Sequence, residues 1–112
     1  MFGPPPVPSV AATDVTDDDF LLDVRDDDEW LAGHVQGAHH VPMTELLARL
    51  DEVPQDRDVV VVCKVGGRSA QVTAYLAANG WDRVRNLDGG MLAWVGVGRP
   101  MVSEDGHAAR VI

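Results

Sequence analysis

The chain has 112 residues, 46% of them apolar, enough for one domain with a single core of four or five strands and the helices that cover them. A formal charge of −9 argues against a nucleic-acid partner and against an anionic membrane surface, and no apolar stretch approaches the length of a membrane span. Cys63 is the sole cysteine, so no internal disulfide is possible. Met1 to Pro8 lacks the basic and apolar regions of a secretory signal, and a reducing, cytoplasmic setting is expected.

Residues 1–8 hold four of the seven prolines and are expected to form an extended arm, with a short edge strand over Val7 to Val10. Phe20 to Val24 reads as the first central strand. Asp26 to Asp28 offer capping oxygens to a short helix around Glu29 to Ala32, stopped by Gly33. A short strand, His39 to Val41, ends at Pro42. Met43 to Leu50 places Met43, Leu46, Leu47 and Leu50 on one face of an α-helix. The strand Asp58 to Val62 follows, then a helix opened by Ser69 that runs from Ala70 to Asn79. Val84 to Leu87 is the last strand. Asp88-Gly89-Gly90 turns into a helix with Met91, Leu92 and Trp94 facing inward, ended at Gly98-Arg99-Pro100. Residues 101–112 form a tail without a readable pattern, so the domain is expected to occupy residues 9–100.

Strands alternating with helices at this spacing predict an open α/β structure with a mostly parallel five-stranded sheet and helices on both faces. In such sheets ligands bind beyond the carboxyl ends of the strands. Asp23-Val24-Arg25 and Cys63 each end a strand and are therefore expected at one edge.

Val59-Val60-Val61-Val62 reads as a strand buried on both faces, and Cys63-Lys64-Val65-Gly66-Gly67-Arg68-Ser69 follows directly. A cysteine closing an apolar strand is often only a small buried hydrophobe. Here the two glycines and the helix start make a cradle of backbone N–H groups, helped by the positive end of the helix dipole. Those donors, with Lys64 and Arg68, are expected to favour the thiolate over the thiol. The surroundings agree in charge. Nine of the 18 acidic residues lie between Asp14 and Glu29, whereas Arg57 to Arg85 contains five basic and two acidic residues.

Three segments together resemble the single-domain rhodaneses, a family of sulfurtransferases. Leu22-Asp23-Val24-Arg25 with Glu29 to Ala38 is similar to the first signature of that family. Cys63-x-x-Gly66-x-Arg68-Ser69 is similar to its active-site loop, and Asn86 to Trp94 to its closing signature. The three stand in the family's order and extend from Leu21 to about Pro100. At one position the chain departs: His40 stands where the family usually has Asn, in a turn where either side chain can bond backbone.

The resemblance implies that Cys63 accepts a sulfane sulfur from a donor such as thiosulfate, holds it as a persulfide and passes it to an external thiol or cyanide. It implies that the backbone N–H groups of Val65, Gly66, Gly67, Arg68 and Ser69 hold the sulfur, and that Lys64 and Arg68 offset the charge of an anionic donor. Asp23 and Arg25 would form an ion pair bracing the loop from beneath, and Glu29 and His34 would tie the short helix to its neighbours. Partners would be a small sulfur donor, an external thiol, or another protein's persulfide. No cofactor is implied. His34, His39, His40 and Cys63 match no zinc spacing, and no metal site is expected. A phosphatase or arsenate reductase would need its arginine six positions after the cysteine, where this chain has Ser69. A non-catalytic binding module of the same family would commonly lack the cysteine.

Overall fold

The computed structural model describes residues 6–112. Five parallel strands form one sheet: β1 (Ser9–Val10), β2 (Phe20–Asp23), β3 (His39–His40), β4 (Val59–Val62) and β5 (Val84–Leu87), in the order β1-β5-β4-β2-β3. The helices are α1 (Asp27–Ala32), α2 (Gly67–Ala78) and α3 (Gly90–Gly96), with a 3₁₀ segment over Met43–Glu52. The first five residues of the expected arm lie outside the described residues. Pro8 is already docked, its carbonyl accepting the Asn86 N–H, so the edge strand begins beside β5.

β4 is central, and all four of its valines are buried, as a strand covered on both faces must be. Val59 and Val61 share one core with Leu22, Val24, Cys63, Val72 and Leu76, beneath α2 and the 3₁₀ segment. Val60 and Val62 share the other with Val10, Leu87, Met91 and Trp94, beneath α3. Alternation along four residues thus feeds both layers of packing. Leu92 does not join the second core: Met91 and Trp94, three residues apart, take the inner face of α3 and leave Leu92 turned out, 48% exposed.

The segment Met43–Glu52 differs from the expected α-helix. It is wound as 3₁₀ turns with a non-helical Arg49 (φ −126°, ψ 23°). At three residues per turn, Met43 and Leu46 fall in line toward the core while Leu47 is turned out, 69% exposed. Arg49 holds the break through Glu45, Glu52 and the His40 carbonyl.

The tail after Pro100 is ordered by backbone pairing. His34 and Val102 exchange two hydrogen bonds as an antiparallel bridge, Glu104 donates its N–H to the Leu31 carbonyl, and Arg110 donates to that of Ala32. The tail therefore straps α1. Among the described residues no helix is long and apolar enough to cross a membrane.

Candidate active site

Asp23 stands opposite Val62 in the β2–β4 ladder, and the Val24 N–H donates to the Val62 carbonyl. This register puts the carboxyl ends of both strands at one edge, where Cys63 leaves β4 and Arg25 leaves β2.

The loop after Cys63 turns its amides inward because its carbonyls are held elsewhere. The Cys63 carbonyl accepts the Met91 N–H at 2.9 Å and the Lys64 carbonyl accepts that of Leu92 at 3.1 Å. The Gly66 carbonyl accepts from the Asn86 amide at 3.2 Å and from the Ala70 N–H at 3.1 Å. Gly66, at φ +106°, makes the reversal that only glycine adopts without strain. Helix α2 then begins at Gly67, two residues before Ser69, because the reversal is complete at Gly66 and the next amides are free to start the helix.

Within this cradle Cys63 is 1% exposed, and its sulfur accepts two hydrogen bonds, from the Gly66 N–H and the Ser69 hydroxyl, both at 3.1 Å. Burial pushes the thiol pKa up. The Ser69 hydroxyl and the N–H groups of Ser69, Gly66 and Val65 outweigh burial and bring it below the ordinary value of 9.0. The expected direction holds, but its strongest support is a hydroxyl, not a cation. Ser69 sits in the first turn of α2, where the Cα–Cβ bond tilts toward the helix N-terminus, so its oxygen points back to the sulfur.

Arg68 lies in the first turn of α2, and its guanidinium is held by Glu29 of α1, with Nη1 to Oε1 at 2.7 Å and Nη2 to Oε2 at 2.9 Å. Hydrogen bonding from Arg68 lowers the Glu29 pKa against the opposing effect of burial, with help from the Asp26 N–H and the charge of Arg25. Sequence reasoning placed Glu29 in a structural tie and did not find this partner; the spacing from Glu29 to Arg68 carries no local signal. Lys64 and Val65 lie in the same loop; Lys64 is half-buried and Val65 is 59% exposed.

Asp23 and Arg25 form a fully buried ion pair at 2.7 Å. Arg25 also donates from Nη2 to the Gly33 carbonyl at 2.7 Å, so it grips the end of α1 and not the loop itself. Its influence on the loop runs through α1, whose Glu29 holds Arg68. His40 donates from Nε2 to the Arg25 carbonyl at 2.8 Å, the backbone-bonding role expected at that turn. Trp30 is stacked between His34 and His40, with ring centroids at 3.6 and 4.6 Å. The remaining histidine of that region, His39, bonds Glu52 at 2.7 Å. The structure thus joins Cys63, Gly66 and Ser69 by direct contact, adds Glu29 and Arg68 as a second layer, and leaves Asp23 and Arg25 as buried support.

A buried thiol held below its ordinary pKa by hydrogen-bond donors can attack an electrophile and hold a charged product. The model of the Rhodanese-like domain family matches residues 9–96. A protein of Allochromatium vinosum named Sulfurtransferase is 43% identical over 91 residues, covering 81% of this chain and 85% of its own. The crystal structure of a rhodanese-related protein from Thermoplasma volcanium superposes with a TM-score of 0.80 at 28% identity, covering 85% of this chain and 97% of the other. A NAD-dependent persulfide reductase from A. fulgidus matches with a TM-score of 0.68 at 35% identity, over 79% of this chain and 16% of the other.

Proposed function

Because this chain belongs to the Rhodanese-like domain family, we propose that it moves a sulfane sulfur from a donor such as thiosulfate to a thiol or cyanide acceptor, through a persulfide on Cys63. The observation that carries the reading is the environment of the sulfur, which accepts from Gly66 and Ser69 while burial works against its charge.

In the first half-reaction the Cys63 thiolate attacks the outer sulfur of thiosulfate. A new S–S bond forms at Cys63, the S–S bond within thiosulfate breaks, and sulfite leaves with its electron pair. The persulfide anion then needs donors for its outer sulfur. The N–H groups of Gly67 and Arg68 stand in the first turn of α2, where the helix supplies them no acceptor. In the second half-reaction an acceptor thiolate or cyanide attacks the outer sulfur, the Cys63 S–S bond breaks, and the thiolate is restored. Kinetics are ping-pong, with the persulfide shared by both steps.

Roles follow from position. Cys63 is the nucleophile. Lys64 offsets donor charge, and Arg68 shapes the loop from its seat on Glu29. The same site accommodates a persulfide carried by a small thiol or by another protein, and the match to part of a persulfide reductase supports that class of donor. A free thiol is required throughout, and we place the activity in a reducing compartment such as the cytoplasm.

Intact mass after incubation with thiosulfate tests the reading. A gain of one sulfur atom, lost again on addition of cyanide with release of thiocyanate, is expected, and Cys63→Ser abolishes both. No gain with thiosulfate or with small-thiol persulfides would replace the enzyme with a binding module.

A further inference from the structure

We propose that the Ser69 hydroxyl acts on the two half-reactions unequally, serving chiefly to make Cys63 a good leaving group when sulfur is handed to the acceptor. The inference rests on the sulfur-transfer reading above and concerns the same sulfur atom.

The geometry singles out this hydroxyl. Ser69 is fully buried, and its oxygen donates to Cys63 Sγ at 3.1 Å. Buried as it is, it has no solvent to turn to. The Ser69 carbonyl is held separately by the Thr73 hydroxyl at 2.8 Å, which fixes the turn that carries the side chain. The other hydrogen bond to Sγ comes from the backbone of Gly66, which no side-chain substitution removes. Ser69 is therefore the one side chain among the described residues that hydrogen-bonds the reacting atom.

Cys63 Sγ plays opposite parts in the two steps. During loading it is the nucleophile: the thiolate pair forms the bond to the outer sulfur of thiosulfate, and sulfite departs. During unloading it is the leaving group: cyanide forms a bond to the outer sulfur, and the Cys63 S–S pair returns to Sγ, giving thiocyanate and the thiolate. A hydrogen bond that stabilises the Sγ anion increases the thiolate fraction but makes each thiolate a poorer nucleophile. For loading these effects oppose one another, and once the thiol is fully ionised only the second remains. For unloading there is no opposition, because a better-stabilised thiolate leaves faster at every pH.

The experiment compares the unaltered protein with Ser69→Ala and Ser69→Thr, each checked for its melting temperature. Iodoacetamide alkylation against pH reads the thiol without any sulfur substrate. Stopped-time mass measurements then read loading by thiosulfate, and unloading of the preformed persulfide to cyanide. Ser69→Ala is expected to move the alkylation midpoint to higher pH. It should slow unloading by about threefold or more at every pH, and leave loading undiminished at a pH where the thiols of both proteins are ionised. Ser69→Thr restores the hydroxyl and with it the unloading rate. Equal slowing of both half-reactions at that high pH, or an unshifted alkylation midpoint, overturns the proposal. Failure of the unaltered protein to form a persulfide overturns the sulfur-transfer reading and the leaving-group role with it, while the alkylation arm still reports whether the hydroxyl holds the sulfur.

Discussion

Glu29 and Arg68 are joined through both arms of the guanidinium, at 2.7 and 2.9 Å, across 39 residues of chain. The pair ties α1 to the start of α2, directly after the loop that carries Cys63, and it engages the charge of Arg68 in an ion pair. Lys64 is left as the loop cation with no ion-pair partner among the described residues.

Glu29→Gln and Arg68→Ala should therefore lower stability by about 1–2 kcal/mol, a value reduced for the partial exposure of Arg68. Lys64→Ala should leave the melting temperature unchanged and raise KM for thiosulfate. The pH dependence has a definite sign. The folded pKa of Glu29 lies below its ordinary value of 4.5, so its contribution is fully present above that pH and is lost as pH falls through the depressed value. Melting temperature followed downward from pH 5 should fall more steeply for the unaltered protein than for Glu29→Gln. Parallel curves would mean that the pair stabilises nothing.

Arg25→Ala is expected to be far more damaging to the fold. Asp23 would be left 1% exposed, charged and without its partner, and the Gly33 carbonyl would lose its donor. Breaking a buried pair on one side costs about 3–5 kcal/mol. Urea unfolding of Arg25→Ala and Arg68→Ala side by side checks the order; a larger loss at Arg68 would reverse the two roles.

The residues that could be read directly were those whose burial is dictated locally. Four successive valines can only be satisfied between two layers, so β4 and the edge where Cys63 emerges follow from the chain itself. Asp23 and Arg25 lie two residues apart and turn to the same place, which made their pairing legible once the family likeness was seen. Other features rest on distant partners. Whether Met43–Glu52 winds as α or 3₁₀ depends on Arg49, whose contacts with His40 and Glu52 break the helix. The tail has no periodicity because it forms no helix and is held by backbone bonds to His34, Leu31 and Ala32, with Met101 and Val111 packed against the core. Ser69 was legible as a backbone donor, but its hydroxyl reaches the sulfur only because α2 starts at Gly67, two residues earlier than the apolar pattern suggests.

Gly90 should tolerate no side chain. Its φ is +61°, and a Cβ built there would stand 2.5 Å from the carbonyl oxygens of both Cys63 and Lys64. Those are the carbonyls that Met91 and Leu92 hold in order to turn the loop amides inward. Gly90→Ala is expected to cost about 3 kcal/mol or more from strain and overpacking together. If the variant folds, its loop carbonyls are displaced and the Cys63 alkylation midpoint rises toward that of a free thiol. Alanine at Gly96, where an added Cβ meets nothing within 4 Å, is the control. A midpoint unchanged in a folded Gly90→Ala would separate the α3 contact from the cradle.

Cys63 is the only cysteine, so no second thiol in the chain can capture a sulfenic acid as a disulfide, and peroxide should drive the thiolate on toward the irreversible sulfinic acid. A persulfide changes which sulfur is exposed to the oxidant. The outer sulfur is oxidised in its place; one thiol then attacks Sγ and expels the oxidised sulfur with the electron pair of the S–S bond, and a second thiol reduces the resulting mixed disulfide, returning Sγ as an intact thiolate. Loading with thiosulfate before peroxide, then treating with excess thiol and assaying thiocyanate formation, should recover most activity; the unloaded protein treated alike should recover little. Equal losses in the two arms would show that Sγ is attacked through the cap.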